Sequence, residues 1–237
     1  MSERVRFRAS YTGFLGILVS ALVVLPLLEL GDASVRIVKA ALVVAVLGAL
    51  VRLKPHPGVL AVAIAAGAVS AGATAASLWL PARGWVVADH LAGLTFLMTV
   101  AATITWNVWR EREVTPDTIV GGLAVYVLIG MSWSIAYQLL EFSVPGSIVV
   151  VGGGSGHWGA WETAPGKYPR LLFFSFVTLT TLGYGDIVPA SAPAAALSSI
   201  EAVVGPVYLT VLIARLVGLE VTRTRSLRDD RGRRGGA

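Results

Sequence analysis

Apolar residues run along this chain in long blocks without a polar face, divided by short breaks that carry charge or proline. The first block, Tyr11 to Leu30, follows Arg4, Arg6 and Arg8 and has Pro26 near its end. It is long for the apolar part of a signal peptide, lacks a clear cleavage site and is followed by further blocks, so it reads as an uncleaved helix. A second, Ala33 to Leu53, stops at Pro55-His56-Pro57, because proline cannot continue the helical ladder. The third, Gly58 to Leu80, places small residues four apart at Ala63, Gly67 and Ala71, which lets helices approach closely. Pro81 to His90 reads as a short loop. Leu91 to Trp109 is a fourth block, uncharged, with Trp106 and Trp109 where interfacial aromatics belong. Arg110 to Glu113 and Pro116 make a connector, and Thr118 to Leu140 is the fifth block. At about 1.5 Å of rise per residue, each is long enough as a helix to cross a hydrocarbon core of about 30 Å.

The composition then shifts. Glu141 to Tyr168 is rich in Gly, Pro, Ser and Trp and reads as an exposed loop, within which Ile148 to Val151 receives no assignment. Gly154 to Gly159 matches a dinucleotide-binding pattern, but no βαβ unit fits between membrane segments, so a flexible glycine loop is the better reading. His157 there reads as a solvated side chain before it reads as a pH sensor. Pro169 opens a helix that runs to Thr180, too short to cross, with proline tolerated in its first turn. That segment has to be re-entrant. Ala194 to Leu219 is the sixth long block. The expected fold is an all-α membrane protein of six transmembrane helices plus one re-entrant helix and loop.

Non-helical backbone is tolerated at membrane depth only where it lines a cavity or is buried in protein. The stretch after the short helix, Thr178-Leu179-Thr180-Thr181-Leu182-Gly183-Tyr184-Gly185-Asp186, suits that role. Gly183 and Gly185 can take positive φ cheaply. The carbonyls of Thr181, Leu182, Gly183 and Tyr184 can then face one axis, with the Thr181 hydroxyl below them, and replace the water shell of a cation. This stretch resembles the signature of potassium channels. Pro169 to Thr180 is similar to that family's pore helix, and Asp186-Ile187-Val188-Pro189 to its outer mouth. The resemblance implies a filter of Thr181, Leu182, Gly183, Tyr184 and Gly185, potassium as the permeant ion and no other cofactor. It implies support from Phe174, Val177, Thr178, Thr180 and Asp186. Two positions depart from the pattern: Leu182 replaces the usual Val, and Phe174 stands where many members have Trp. Phe cannot donate a hydrogen bond to the Tyr184 hydroxyl, which needs another partner. The pore helix would also aim its negative end at the cavity beneath the filter.

With 55% hydrophobic and 14% charged residues and a mean hydropathy of +0.74, the chain is too apolar for an ordinary soluble domain. It has no cysteine, hence no disulfide framework or thiolate chemistry, and no nucleophile set or Walker sequence that would suggest an enzyme. The net charge of +5 does not signal nucleic acid, because six of the nineteen basic residues lie between Arg223 and Ala237. A basic cytoplasmic tail beside anionic lipid fits better. With both termini inside, fourteen basic residues fall on the cytoplasmic side and five outside, in agreement with the positive-inside rule. That orientation puts the filter near the outer face of a plasma membrane, of bacterial type by resemblance.

Gly205 and Pro206 fall where the family places a gating glycine, and together they predict a kink. Leu209, Ile213 and Val217 recur below them at helical spacing. Such a stripe is packing in most helices, but in a tetrameric pore it makes hydrophobic rings that close by dewetting. Glu201 is the one carboxylate within the sixth block, and an intramembrane acid calls for a partner. Ser175, Thr178 and backbone amides behind the filter are candidates, for a structural bond or for a proton sensor. Gln138 and Glu141 raise the same question.

One pore loop cannot enclose an axis, so the family plan implies a homotetramer. The expected organisation is a four-helix membrane domain over 1–115, a pore domain over 116–222 and the tail over 223–237. The leading reading is a potassium-selective passive channel. A weakly selective cation channel and a non-conducting pore-like subunit are the alternatives. Steep voltage gating moves about 3 to 4 charges per subunit, each worth about 2.3 kcal/mol per 100 mV. The fourth block carries none, and Arg36 and Lys39 should snorkel to the interface. A conductance–voltage curve in symmetric potassium should therefore be shallow; a sigmoid of several gating charges would contradict the reading.

Overall fold

A computed structural model describes residues 11–27, 41–48, 50–51, 56–79, 83–111, 113–151 and 167–235. Arg36, Lys39, the start of the second apolar block, the Gly154 to Gly159 pattern and His157 lie outside the described residues. The described elements are α1 (Tyr11–Leu27), α2 (Pro57–Trp79), α3 (Arg83–Arg110), α4 (Pro116–Ser143), β1 (Ile148–Val150), α5 (Lys167–Leu179), β2 (Ile187–Pro189) and α6 (Ala192–Gly235). Residues 41–48 and 50–51 are also helical. Four helices among the described residues are long and apolar enough to cross a membrane: Pro57–Ala76, Arg83–Arg110, Pro116–Ser143 and Ala192–Val221. The protein is thus a multi-pass, all-α membrane protein. Tyr11–Val23 and Pro169–Leu179 are shorter apolar helices.

Three boundaries differ from expectation. Residues 83–90, read as loop, open α3. Their polar Asp89 is accommodated because the Ser70 and Thr74 hydroxyls of α2 donate to it at 2.6 and 3.2 Å. The unassigned run Ile148–Val150 is a strand, antiparallel to β2 with Ile148 opposite Pro189 and Val150 opposite Ile187. Helix α6 runs past Leu219, the expected end of the sixth block, to Gly235. No proline occurs after Pro206 to break it.

Helix α4 is the centre of the packing. It begins with a capping box, Thr115 accepting from the Thr118 amide and Thr118 Oγ1 from the Thr115 amide, followed by Pro116 at a position that needs no N–H. Asp117 in its first turn accepts the Tyr11 amide at 2.7 Å and so joins the start of α1 to the start of α4. In lipid, helices gain nothing from hydrophobic burial against one another, so close contact and hydrogen bonds hold them. Glycines supply that contact on three sides of α4. A Cβ on Gly121 would lie 2.9 Å from Val108 of α3, one on Gly122 2.7 Å from Leu212 of α6, and one on Gly130 2.7 Å from the Phe176 ring of α5. One core links Phe14, Leu18, Phe96, Val100, Ile104, Val125, Leu128 and Leu172, so the first helices and the later ones share an interior. A second, smaller core gathers Tyr137, Ile148, Leu171, Phe174, Ile187 and Ala194 around α5 and the strand pair.

Candidate functional site

Helix α5 delivers the loop Thr180–Asp186. A helix end leaves its last carbonyls without intrahelical partners. Here the chain turns back on them: the Thr181 amide donates to Thr178 at 2.9 Å, and the Leu182 and Gly183 amides donate to Val177 at 2.9 and 3.3 Å. Thr180 Oγ1 donates to the Phe176 carbonyl and Thr181 Oγ1 to the Thr180 carbonyl. Val177 and Thr178 therefore support the loop through backbone carbonyls.

The loop alternates in handedness. Thr181, Gly183 and Gly185 have φ of +59°, +62° and +79°, and Leu182 and Tyr184 between them do not share that sign. In an ordinary strand successive carbonyls point to opposite sides; alternating the sign of φ turns them toward one side. The glycines adopt this without a Cβ penalty. Thr181 is a β-branched residue in the left-handed region, an outlier that persists only where its surroundings enforce it. Residues 180–185 are exposed, Leu182 at 56% and Tyr184 at 66%, so the loop is not covered by the rest of the described chain.

The aromatic support differs from what the resemblance implies. Phe174 is 4% exposed and turns away from the loop to meet Tyr137 edge-on at 4.9 Å. Its neighbour Phe173 stacks on Tyr184, the rings 4° from parallel and 6.0 Å apart. Tyr184 is thus braced through its ring face, which needs no donor. Asp186 accepts the Ile187 amide on Oδ1 at 3.0 Å, and its carbonyl accepts the Val151 amide at 2.8 Å.

Behind the loop, Glu201 of α6 is fully buried. Its Oε2 accepts the Tyr137 hydroxyl at 2.5 Å and its Oε1 lies 2.6 Å from Ser175 Oγ. Ser175 Oγ is also 2.7 Å from the Gly130 carbonyl. A serine has one proton to give, so both of its bonds are made together only when the carboxyl supplies the other proton. Ser175 was legible as a partner from the sequence, whereas Tyr137 and Gly130 were not. Tyr137 shares its block with Tyr126, Ser132, Ser134 and Gln138, so nothing in the sequence singled it out. Glu141 is also buried, but its partners are the amides of Gly146 and Ile148. Gln138 donates to Ser134 one turn earlier.

At Gly205 the structure shows a close approach. A Cβ there would sit 1.9 Å from the Leu179 carbonyl oxygen at the end of α5, which also accepts the Tyr126 hydroxyl at 3.3 Å. Helix α6 continues unbroken through Gly205 and Pro206. Leu209 is half-buried, and Ile213 and Val217 are more than half exposed on the face left open by this chain. Leu212 packs on Gly122, and Tyr208 donates to the Gly122 carbonyl at 2.8 Å. Arg215 reaches the end of α3 and donates to the carbonyls of Val108, Trp109 and Glu111.

Residues 147–220 match a family model described as "Ion channel". No curated protein and no solved structure matches the chain.

Replacing Gly205 by Ala should separate α6 from the end of α5, because the new methyl meets backbone that cannot give way. A loss of about 1 to 3 kcal/mol is expected, read as a lower melting temperature. Gly218→Ala, whose Cβ meets nothing within 4 Å, is the silent control. Glu201→Gln offers a carbonyl to Tyr137 and an amide to Ser175, so its thermal stability should stay near wild type. Glu201→Leu takes the carboxyl acceptor from the Tyr137 hydroxyl at about 1 to 3 kcal/mol, while Ser175 keeps the Gly130 carbonyl, and should lower the melting point below that of Glu201→Gln. Equal melting points for the two variants would refute the network.

Proposed function

Since residues 147–220 belong to a pore-loop ion channel family, we propose that this multi-pass membrane protein conducts potassium passively through a homotetrameric pore. The observation that carries the reading is the alternation of φ at Thr181, Gly183 and Gly185 within Thr-Leu-Gly-Tyr-Gly-Asp, on a surface its own subunit leaves open. Oxygens from one chain cover one side of an ion. Four copies about an axis complete the shell, with the carbonyls of Thr181, Leu182, Gly183 and Tyr184 as ligands.

In this reading the chain crosses the plasma membrane six times with both termini inside. Residues 1–115 form an N-terminal helical domain and 116–222 the pore domain. Residues 223–237 carry six arginines toward the cytoplasmic leaflet, where anionic lipid attracts them. The exposed Ile213 and Val217, with Leu209, line the inner vestibule, and α6 bends near Gly205 and Pro206 when it opens.

Flux into liposomes containing the purified full chain tests this. Potassium and rubidium should enter and sodium should be largely excluded. Comparable sodium entry would favour a weakly selective cation channel, and no flux at all a non-conducting subunit. Gly183→Ala should abolish flux while leaving assembly intact. A Cβ in the left-handed region costs about 1 to 2 kcal/mol, repeated once in each subunit around the same axis. Normal flux through that variant would remove the carbonyl row from the mechanism.

A further inference from the structure

We propose that Glu141 is a positioning residue for the ion pathway: its carboxylate anchors a two-stranded clamp that fixes the outer end of the loop Thr181–Asp186. The clamp's contacts stand on geometry alone; its consequence for selectivity rests on the potassium reading above.

Glu141 lies in the last turns of α4, 7% exposed. The negative end of a helix is an unfavourable place for a carboxylate, and burial adds to the cost, so its partners have to offset both. They do so with backbone donors. Gly146, at φ +82°, lets the chain double back over the carboxylate. The Gly146 amide then donates to Oε1 at 2.9 Å and the Ile148 amide to Oε2 at 3.1 Å. Ile148 is the first residue of β1, so the carboxylate holds the start of that strand against the helix end.

The strand carries this hold to the loop. Strand β1 pairs with β2, which begins one residue after Asp186. Two further bonds extend the ladder, Val151 N–H to the Asp186 carbonyl at 2.8 Å and Ala190 N–H to the Ser147 carbonyl at 2.7 Å. Ile148 and Ile187, at 0% and 4% exposure, turn inward on Leu171 and Phe174 of α5. The loop is therefore held at two ends by different elements. Its inner end returns to the Val177 and Thr178 carbonyls of α5, and its outer end is laced to α4 through β1. Between them lie Leu182 to Gly185, exposed and of alternating handedness. A backbone carrying a left-handed Thr181 persists only where its surroundings over-determine it. The inner tie acts directly on Thr181, and the outer tie stops the strain from relaxing outward. Whether selectivity comes from cavity size or from the number of carbonyls in contact, release of the outer end changes the cage.

Two variants cut the clamp at different points. Glu141→Gln keeps shape and one acceptor but turns an NH2 group toward the second amide. Val151→Pro removes the donor to the Asp186 carbonyl at a position that is 56% exposed, so it carries the test if Glu141→Gln fails to assemble. Ser143→Ala, an exposed hydroxyl bonded only within its own helix, is the control. With the full chain in liposomes, both clamp variants should lower the potassium-to-sodium flux ratio several-fold. Both should also speed amide hydrogen exchange over 182–187, with Ser143→Ala unchanged. A wild-type ratio in the assembled clamp variants overturns the proposal. If the wild-type protein itself does not discriminate, the potassium reading has failed and exchange decides the clamp alone. Unchanged protection over 182–187 in both variants would then overturn it.

Discussion

A backbone that leaves the helix at membrane depth has no water to bond to, and each unsatisfied group there costs several kcal/mol. That constraint organises the protein. The loop after α5 has amides to place, and the end of α5 has carbonyls to satisfy. The Thr181, Leu182 and Gly183 amides meet the Thr178 and Val177 carbonyls, so each deficit cancels the other. The solution is local, but it works only if the helix end is held still. Gly205 lets α6 close onto the Leu179 carbonyl, and Tyr126 donates to the same oxygen from α4. Ser175 ties the middle of α5 to Gly130 and to Glu201. The short helix is thus fixed on two sides by hydrogen bonds and on both by glycine contacts that lipid-driven packing favours.

The sequence revealed what depends on composition and on short-range chemistry. Long apolar blocks gave the membrane class, and the run from Thr178 to Asp186 with its flanking helix pointed to the family that the match over 147–220 supports. What it concealed depends on contacts far apart in the chain. Ile148–Val150 has the composition of a strand, but its partner follows the loop, more than thirty residues later. Pro81 to His90 reads as a loop, whereas residues 83–90 are helical, and the hydroxyls that donate to Asp89 there belong to α2. Glu201 needed a partner, and Ser175 was within the range of guesses. Tyr137, sixty-four positions away, was not. Thr181 is legible as a ligand through its carbonyl and hydroxyl, but its left-handed backbone is not, because only the glycines at 183 and 185 signal positive φ.

The buried glutamates Glu141 and Glu201 show why the same residue type serves different ends. Glu141 is met by amide N–H groups, which only donate, so its oxygens act purely as acceptors. Glu201 is met by hydroxyls, which both donate and accept, and one of these is already directed at a carbonyl. The first arrangement suits a fixed negative charge holding a turn. The second suits a shared proton within a chain of hydrogen bonds that joins α4, α5 and α6. Neither role follows from the position of an acid in an apolar block, because the distinction lies entirely in the partners.

The uncharged stretch of α3 and the bonds made by Arg215 belong together. Between Arg83 and Arg110 that helix has no lysine or arginine. Its end is nonetheless tied to α6: the Arg215 guanidinium donates to three carbonyls at or just beyond that end and lies over the Trp109 ring. A cation at a helix C-terminus is stabilised by the macrodipole as well as by the bonds themselves. Arg215 is ten residues below Gly205, on the half of α6 that would swing if the helix bent there. Such a bend has to break these bonds or carry the end of α3 along. A bend of α6 at Gly205 would therefore be coupled to the end of α3 through these bonds, and the shared core of Val100, Ile104 and Val125 extends that connection into the interior.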